Sequence, residues 1–167
     1  MKYLFLFITT VISVNSHSQN KLENGYFKTE LANGLGQKIQ VDFAIDSLMV
    51  DKISKHPAYL YWDSTTFSNP NNAGYIEKNK DKTHMEMFLM GSIMMGSVNL
   101  NYSVKNTSSY TPLQSKNNRV SILEYNNSII ISYDFQAQNS YGNMIFSTGV
   151  YSILFKDGKN VTDTTIF

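Results

Sequence analysis

The chain has 167 residues and an almost balanced charge, with 14 lysines and arginines against 13 aspartates and glutamates. A nucleic-acid-binding protein needs a basic excess to neutralise phosphates, so this balance argues against nucleic acid as a partner, and equally against an anionic membrane surface. The chain contains no cysteine, which excludes disulfides, thiol nucleophiles and cysteine-ligated metal sites.

Residues 1–18 have the pattern of a cleaved secretion signal. An apolar segment runs from Tyr3 to Val14, and Ser16 and Ser18 then place small residues two apart, as signal peptidases require. The apolar segment is too short for a membrane-spanning helix, which needs roughly 20 residues. We therefore expect a signal peptide over residues 1–18 and a mature protein that begins at Gln19. This product should be exported to the periplasm or beyond, soluble and without a membrane anchor.

Alternating apolar and polar residues predict β-strands over much of the remaining chain. The predicted strands are Tyr26–Ala32, Lys38–Ile45, Val98–Val104, Val120–Tyr125, Ser128–Gln138, Met144–Phe155 and Val161–Phe167. Residues that favour turns separate several of them, namely Asn33–Gly36, Asn126–Asn127, Asn139–Asn143 and Asp157–Gly158. Within Ser128–Gln138 the alternation places Ile131 and Phe135 in the core and Gln136 in solvent.

The middle of the chain mixes helical and loop signals. Asp46–Lys55 is predicted to be a short helix with Asp46 as its N-cap. This helix should end before Pro57, because the residue preceding a proline avoids the α conformation. The later residues Asp63–Asn72 are rich in serine and asparagine, which predicts a long surface loop.

The segment His84–Gly96 is ambiguous between a helix and a strand. Thr83 and Glu86 have the spacing of a capping box, and the apolar residues that follow fit one face of a helix. Gly91 and Gly96 oppose a helix, since each costs roughly 1 kcal/mol in a helix interior. Both interpretations therefore stay open for this segment.

These patterns predict a single domain over residues 19–167, which is long enough to bury a hydrophobic core. The expected fold is mainly β, an antiparallel sandwich or a small barrel with one or two short helices. The alternative is an α+β fold in which a helix over His84–Gly96 packs on a curved antiparallel sheet.

No motif of a catalytic, metal or cofactor site is present in the sequence. His56 and His84 lack metal-ligand spacing, and there is neither a Gly-x-Ser-x-Gly turn nor a phosphate-binding glycine-rich loop. We therefore expect no cofactor, no metal and no enzymatic activity. The acidic residues Asp42, Asp46 and Asp134 leave a hydrolase with dispersed carboxylates as a further alternative.

Five methionines lie close together in the middle of the chain, at Met85, Met87, Met90, Met94 and Met95. Methionine thioethers bind the soft cation Cu(I), but methionine also fills irregular cores well. Because Phe88, Leu89 and Ile93 are interleaved with the methionines, we expect these side chains to pack in the core.

The aromatic segment Tyr59–Asp63 leads into the predicted loop and contains the only tryptophan of the sequence, Trp62. In a strand, its two tyrosines would lie on one face and Trp62 on the other. Exposed aromatic side chains provide contact area at low entropy cost, although a core position for Trp62 is the simpler interpretation. We predict a binding surface formed by Tyr59, Tyr61, Trp62, Asp63 and Tyr75.

The expected function is that of a non-enzymatic, exported binding protein that engages another protein, as an inhibitor or immunity factor does. The surface should be neutral and rich in hydrogen-bonding groups, with 11 tyrosines and 10 phenylalanines available for contacts. The alternative is binding of a carbohydrate or a small apolar ligand in a groove lined by tyrosine and phenylalanine.

The run Ala137-Gln138-Asn139-Ser140-Tyr141-Gly142, followed by a long strand and by Asp157-Gly158, resembles a pattern in small exported bacterial proteins. Those proteins end in a hairpin with Ala-x-Asn-x-aromatic-Gly before its turn. The resemblance covers about a quarter of the chain and implies no activity and no functional residue.

Overall fold

Strand pairing builds one eight-stranded sheet from residues 20–167, the part of the chain that a computed structural model describes. The predicted signal peptide lies outside these residues. The strands are β1 (Lys21–Glu23), β2 (Tyr26–Ala32), β3 (Lys38–Ala44), β4 (Thr111–Pro112), β5 (Arg119–Leu123), β6 (Ser128–Gln138), β7 (Met144–Lys156) and β8 (Lys159–Ile166). The α-helices are α1 (Ser47–Ser54), α2 (Pro57–Ser68), α3 (Ala73–Lys78) and α4 (His84–Ser103).

The strand order is β1-β2-β3-β5-β6-β7-β8, and the short β4 pairs with β6 beyond the end of β5. Every pairing is antiparallel except the one between β3 and β5, which is parallel and consists of the single pair Ala44 and Arg119. The sheet therefore consists of a three-stranded and a five-stranded part joined by a narrow contact.

The sheet-rich, mostly antiparallel architecture confirms most of the predicted strands, but the mainly-β sandwich is only partly confirmed and the fold class needs correction. The sheet is open, so the barrel is wrong. Four α-helices are present within the described residues, and α4 alone has 20 residues, where one or two short helices were expected. The α+β alternative describes the arrangement better, because α2 and α4 pack on one face of the sheet.

The buried side chains lie on the face that the helices cover. In β6 the inward residues are Ile129, Ile131, Tyr133, Phe135 and Ala137, each at most 2% exposed. Gln136 faces the other way and is half-buried, so the predicted register of this strand is confirmed. Helices α2 and α4 complete the core from above.

Turn chemistry confirms the predicted hairpins and adds one that we did not predict. Asn127 and Asp157 adopt positive φ values of 50° and 53° in their turns. Asn24 and Gly25, with φ values of 51° and 81°, form the tight connection between β1 and β2. Asn-Gly is the strongest short hairpin signal in a sequence, and it was present here.

The predicted strand Val98–Val104 is wrong, because these residues belong almost entirely to α4. Thr83 Oγ1 accepts a hydrogen bond from the Glu86 backbone N–H at 3.1 Å, and Glu86 Oε2 accepts one from the Thr83 N–H at 2.8 Å. This capping box starts a helix that continues through the ambiguous segment His84–Gly96. Apolar and polar residues alternate after residue 98 as they would in a strand, but the burial of these residues follows the period of a helix.

The predicted loop Asp63–Asn72 is also wrong, and the residues around Trp62, whose faces were considered for a strand, are helical. Residues up to Ser68 form α2, and a short 3-10 helix covers Pro70–Asn72. His56 caps α2, since its Nδ1 accepts a hydrogen bond from the Ala58 N–H at 3.1 Å. Pro57 ends one helix and begins the next, because proline is favoured at the first helical position.

The methionine cluster is divided between core and surface. Met85, Met87 and Met90 are at most 8% exposed, whereas Met94 and Met95 are 49% and 53% exposed. Core packing is therefore correct for the first part of α4 and wrong for Met94 and Met95, because the helix turns those two residues toward solvent.

Two glycines of α4 should respond oppositely to alanine. A Cβ added at Gly91 meets nothing within 4 Å, whereas one added at Gly96 comes within 2.9 Å of the Tyr151 Cβ on β7. We expect Gly91→Ala to raise the free energy of unfolding by about 0.5–1 kcal/mol, because alanine favours the helix. Gly96→Ala should lower it by about 1–3 kcal/mol through overpacking. Urea unfolding of both variants is the measurement, and a gain in stability for both would contradict the close approach of α4 to β7.

Candidate functional site

The aromatic residues of α2 form a cluster with the first turns of α4. The ring centroids of Trp62 lie 6.1 Å from Tyr59, 6.0 Å from Phe67 and 5.3 Å from Phe88. Tyr59 meets Phe88 edge to face at 5.3 Å. We call Tyr59, Trp62, Phe67 and Phe88 the α2 cluster. Its side chains are half-buried apart from the buried Phe88, so it closes one end of the core.

A polar pair lies at the outer side of the α2 cluster. His84 Nδ1 and Asp63 Oδ1 are 2.7 Å apart, and the side chains are 51% and 34% exposed. The imidazole also stacks on Phe67, with ring centroids 3.7 Å apart and planes at 11°. The carboxylate and the ring together fix the orientation of His84 at the surface, which leaves Nε2 as the group that can meet a ligand.

The structure brings together only part of the predicted binding surface. Tyr59, Trp62 and Asp63 lie close together along α2. Tyr61 lies on another side of this helix, and its ring centroid is 5.6 Å from that of Phe155. Tyr75 lies on α3, and its hydroxyl donates to the Met87 carbonyl at 3.4 Å. Burial raises the pKa of the Tyr59 and Tyr75 hydroxyls, and the nearby Asp63 raises that of Tyr59 further. These phenols therefore stay neutral.

The second candidate surface is the face of the sheet opposite to the helices, which we call the open sheet face. It is formed by the side chains that alternate with the buried ones, and paired residues share it across neighbouring strands. Its central members are Arg119, Ser121, Ile130, Ser132, Asp134, Thr148, Val150 and Phe167. The face therefore combines neutral polar groups with apolar side chains.

Asp134 is the most strongly bonded side chain of the open sheet face. Its Oδ2 accepts hydrogen bonds from Ser115 Oγ at 2.6 Å and Asn117 Nδ2 at 2.9 Å, and its Oδ1 accepts one from Thr148 Oγ1 at 2.7 Å. Partial burial raises the pKa of this carboxyl, but these three bonds outweigh it and hold the pKa below its ordinary value. Asp134 is therefore a fixed negative charge.

The lowered pKa of Asp134 predicts a specific contribution to acid stability. Because the folded pKa lies below the unfolded value of about 3.9, the contribution is present above that pH and is lost as the pH falls through the folded pKa. We expect the free energy of unfolding of Asp134→Asn to fall less between pH 6 and pH 3 than that of the wild type. Urea unfolding at both pH values measures this, and equal falls would contradict the bonding of the carboxylate.

The segment 113–118 holds the two parts of the sheet together beside this network. Asn118 is 1% exposed, its Nδ2 donates to the Leu113 carbonyl at 2.8 Å, and its Oδ1 accepts from the Asp134 N–H at 3.0 Å. Its backbone carbonyl accepts from the Ala44 N–H on β3 at 2.9 Å. These bonds fix the segment, and with it Ser115 and Asn117, at the surface.

Two shallow hollows meet at Thr148 and Phe167 on the open sheet face. One of about 250 Å³ is lined by Asp134, Phe146 and Phe167 among others. The other, of about 430 Å³, extends over Arg119 and Val150. Phe146 and Phe167 are 75% and 77% exposed, although both are large apolar side chains.

Sequence reasoning missed this surface because it treated outward positions as solvated by default. Ile130 and Val150 stand at outward positions of β6 and β7, where the alternation demands polar residues. These apolar residues at outward positions were a signal in the sequence that could have predicted the surface. The contacts of Asp134 could not be predicted from the sequence, since Ser115 and Thr148 come from distant parts of the chain.

Within residues 20–167 no group of three or more histidine, cysteine, aspartate or glutamate side chains is arranged to hold a metal ion. No helix in that range has both the length and the apolar character needed to cross a membrane. Comparisons with protein-family models, with curated proteins and with solved structures found no significant match to this chain.

Proposed function

We propose that this protein is an exported, non-enzymatic binding protein that engages another protein through its open sheet face. The observation that carries this proposal is the exposure of Phe146 and Phe167 around Thr148. Aromatic anchors among neutral polar groups are characteristic of the energetically dominant part of protein interfaces. A flat face with shallow hollows suits a protein surface better than an enclosed small molecule.

The polar groups of the same face support recognition of a partner. Asp134 supplies a fixed negative charge and Arg119 a positive one, with Ser121 and Ser132 as neutral groups beside them. Such groups select a partner more than they add affinity. Because the bonds of Asp134 are already formed in the free protein, little conformational entropy is lost there on binding.

Export rests on the sequence of residues 1–18, and it places the partner in the periplasm or outside the cell. Intact-mass analysis of the exported protein should give a chain that begins at Gln19. Retention of Met1 would contradict this part of the proposal. An inhibitor or immunity factor is the kind of binding protein that fits this location.

The contact surface is tested by affinity capture from the native cell-envelope fraction with matched variants. We expect Phe146→Ser/Phe167→Ser to lose the captured partner, with a loss of affinity of about 2 kcal/mol or more, as for aromatic anchors. Tyr125→Ser is the control, because Tyr125 is 86% exposed at the turn between β5 and β6. Equal capture by the double variant and the wild type would contradict the assignment.

A carbohydrate ligand at the α2 cluster is the second candidate function. It is favoured by one observation, the combination of the Asp63 carboxylate with the stacked rings of Phe67 and His84 at the surface. Because Trp62 is the only tryptophan, its fluorescence reports on this site alone. Titration with oligosaccharides should change that fluorescence, and an unchanged spectrum would reject this candidate.

A further inference from the structure

Strand β8 forms one edge of the sheet, and no described residue pairs with its outer side. It is eight residues long and mostly exposed. An edge strand of this length offers a row of backbone donors and acceptors to another strand. Strand β8 can therefore extend the sheet by pairing with a strand of another chain.

The hydrogen-bond pattern shows which groups of β8 point outward. The backbone N–H and C=O of Phe167 bond to those of Thr148 at 2.9 and 3.1 Å, so this is a hydrogen-bonded pair. The register is unbroken back to the pair Lys156 and Lys159. Because the pattern alternates along an antiparallel strand, the odd-numbered residues bond to β7 and the even-numbered residues point their backbone groups outward.

The charges of β8 are self-complementary in one register. If two copies pair antiparallel about a two-fold axis at Val161, Lys159 of each copy lies opposite Asp163 of the other. These are non-hydrogen-bonded positions, where side chains approach most closely. Lys159 and Asp163 lie on the open sheet face, and the ion pairs found among the described residues involve other side chains.

Neighbouring registers do not offer this match. An axis at Asp163 places two aspartates opposite each other, and like charges there are destabilising. An axis at Thr162 places Asp163 opposite Val161 and Lys159 opposite Thr165. With the axis at Val161, the two Val161 side chains, each 41% exposed, also meet each other.

We propose that the protein forms a homodimer through antiparallel pairing of β8 with β8 of a second copy, centred on Val161. The two sheets become one continuous sheet, and the outward backbone groups of Asn160 and Thr162 bond across the axis. The two-fold axis is perpendicular to the sheet, so both open sheet faces lie on the same side. The dimer does not depend on the proposed partner.

Charge reversal tests both the dimer and its register. Lys159→Asp and Asp163→Lys each place like charges opposite one another at both ends of the contact. We expect each variant to raise the dimer dissociation constant at least about tenfold in sedimentation equilibrium. An equimolar mixture of the two variants should restore a dimer, because each mutated residue then faces its complement in a heterodimer.

Lys21→Asp is the matched control, since it makes the same change of charge at an exposed residue of β1, at the opposite edge of the sheet from β8, and it should leave the dissociation constant unchanged. Thermal melts show that each variant is folded. A wild-type protein that stays monomeric up to about 100 μM overturns the proposal and leaves the edge to a different chain. A dimer insensitive to both reversals, or a mixture that does not reassociate, also overturns it.

Discussion

Ile131→Asp and Phe135→Asp are each expected to lower the free energy of unfolding by at least about 4 kcal/mol. Both side chains are almost fully buried, at 0% and 1% exposure, on the helix-covered face of β6. Each substitution removes a large apolar side chain and also introduces a carboxylate without a partner. Net stability of a domain is typically only about 5–15 kcal/mol, so these variants should be close to unfolding at ambient temperature.

The control for these variants is Gln136→Asp, adjacent to Phe135 on the same strand. Gln136 is half-buried on the open sheet face, where a carboxylate keeps its contact with water. We expect a change within about 1 kcal/mol, as for most surface substitutions. Urea unfolding ranks the three variants, and Gln136→Asp as the most destabilising one would mean that the facing of β6 is reversed.

The strands were predictable because their alternation is a local pattern with a strong physical consequence. In β6 a shift of one residue would expose Ile131 and Phe135 together, so the sequence determines the register. The turn at Asp157-Gly158 was also predictable from the local sequence, because few residues accept its positive φ values. Which strands become neighbours is a long-range property, and the single pairing of β3 with β5 had no local signal.

The helices were harder to predict because two periods competed within short segments. Val98–Val104 alternates like a strand, yet Leu100 is fully buried and Tyr102 is 79% exposed on a continuous helix. The capping box at Thr83 was the better guide, since its two hydrogen bonds fix where α4 begins. Gly96 looked like an argument against this helix, but it is the residue that lets the helix approach Tyr151.

The candidate sites show the same division between local and long-range information. Aromatic residues near Trp62 were visible in the sequence, but a helix places Tyr61 on a different side from Trp62, which no strand-based interpretation could give. The network around Asp134 depends on Ser115 and Thr148, which only the folded sheet brings together. Phe146 and Phe167 are isolated apolar residues in the sequence and were not predicted to form a site. In the folded protein they line the same hollow and so belong to one surface.

Trp62→Ala is expected to lower the free energy of unfolding by about 2–4 kcal/mol. The indole lies within 6.1 Å of the rings of Tyr59, Phe67 and Phe88, so its removal leaves a cavity between α2 and α4. Trp62→Phe is the matched control, because it keeps an aromatic ring in the cluster and should restore part of the stability. The stability of both variants is measured by thermal melts followed by circular dichroism. Fluorescence is unsuitable, because both substitutions remove the only tryptophan of the sequence.

The same variants decide whether the predicted surface of Tyr59, Tyr61, Trp62, Asp63 and Tyr75 contacts the partner. Affinity is measured below the melting temperature of Trp62→Ala, so that only folded protein is compared. A loss of affinity of about 2 kcal/mol or more, shared by Tyr61→Ala, supports a contact role for α2. Undiminished affinity with reduced stability refutes that role and assigns Trp62 to packing alone, because a side chain that only supports the core changes how much protein is folded and not how the folded protein binds. Phe146 and Phe167 would then be the aromatic anchors that remain to explain partner binding.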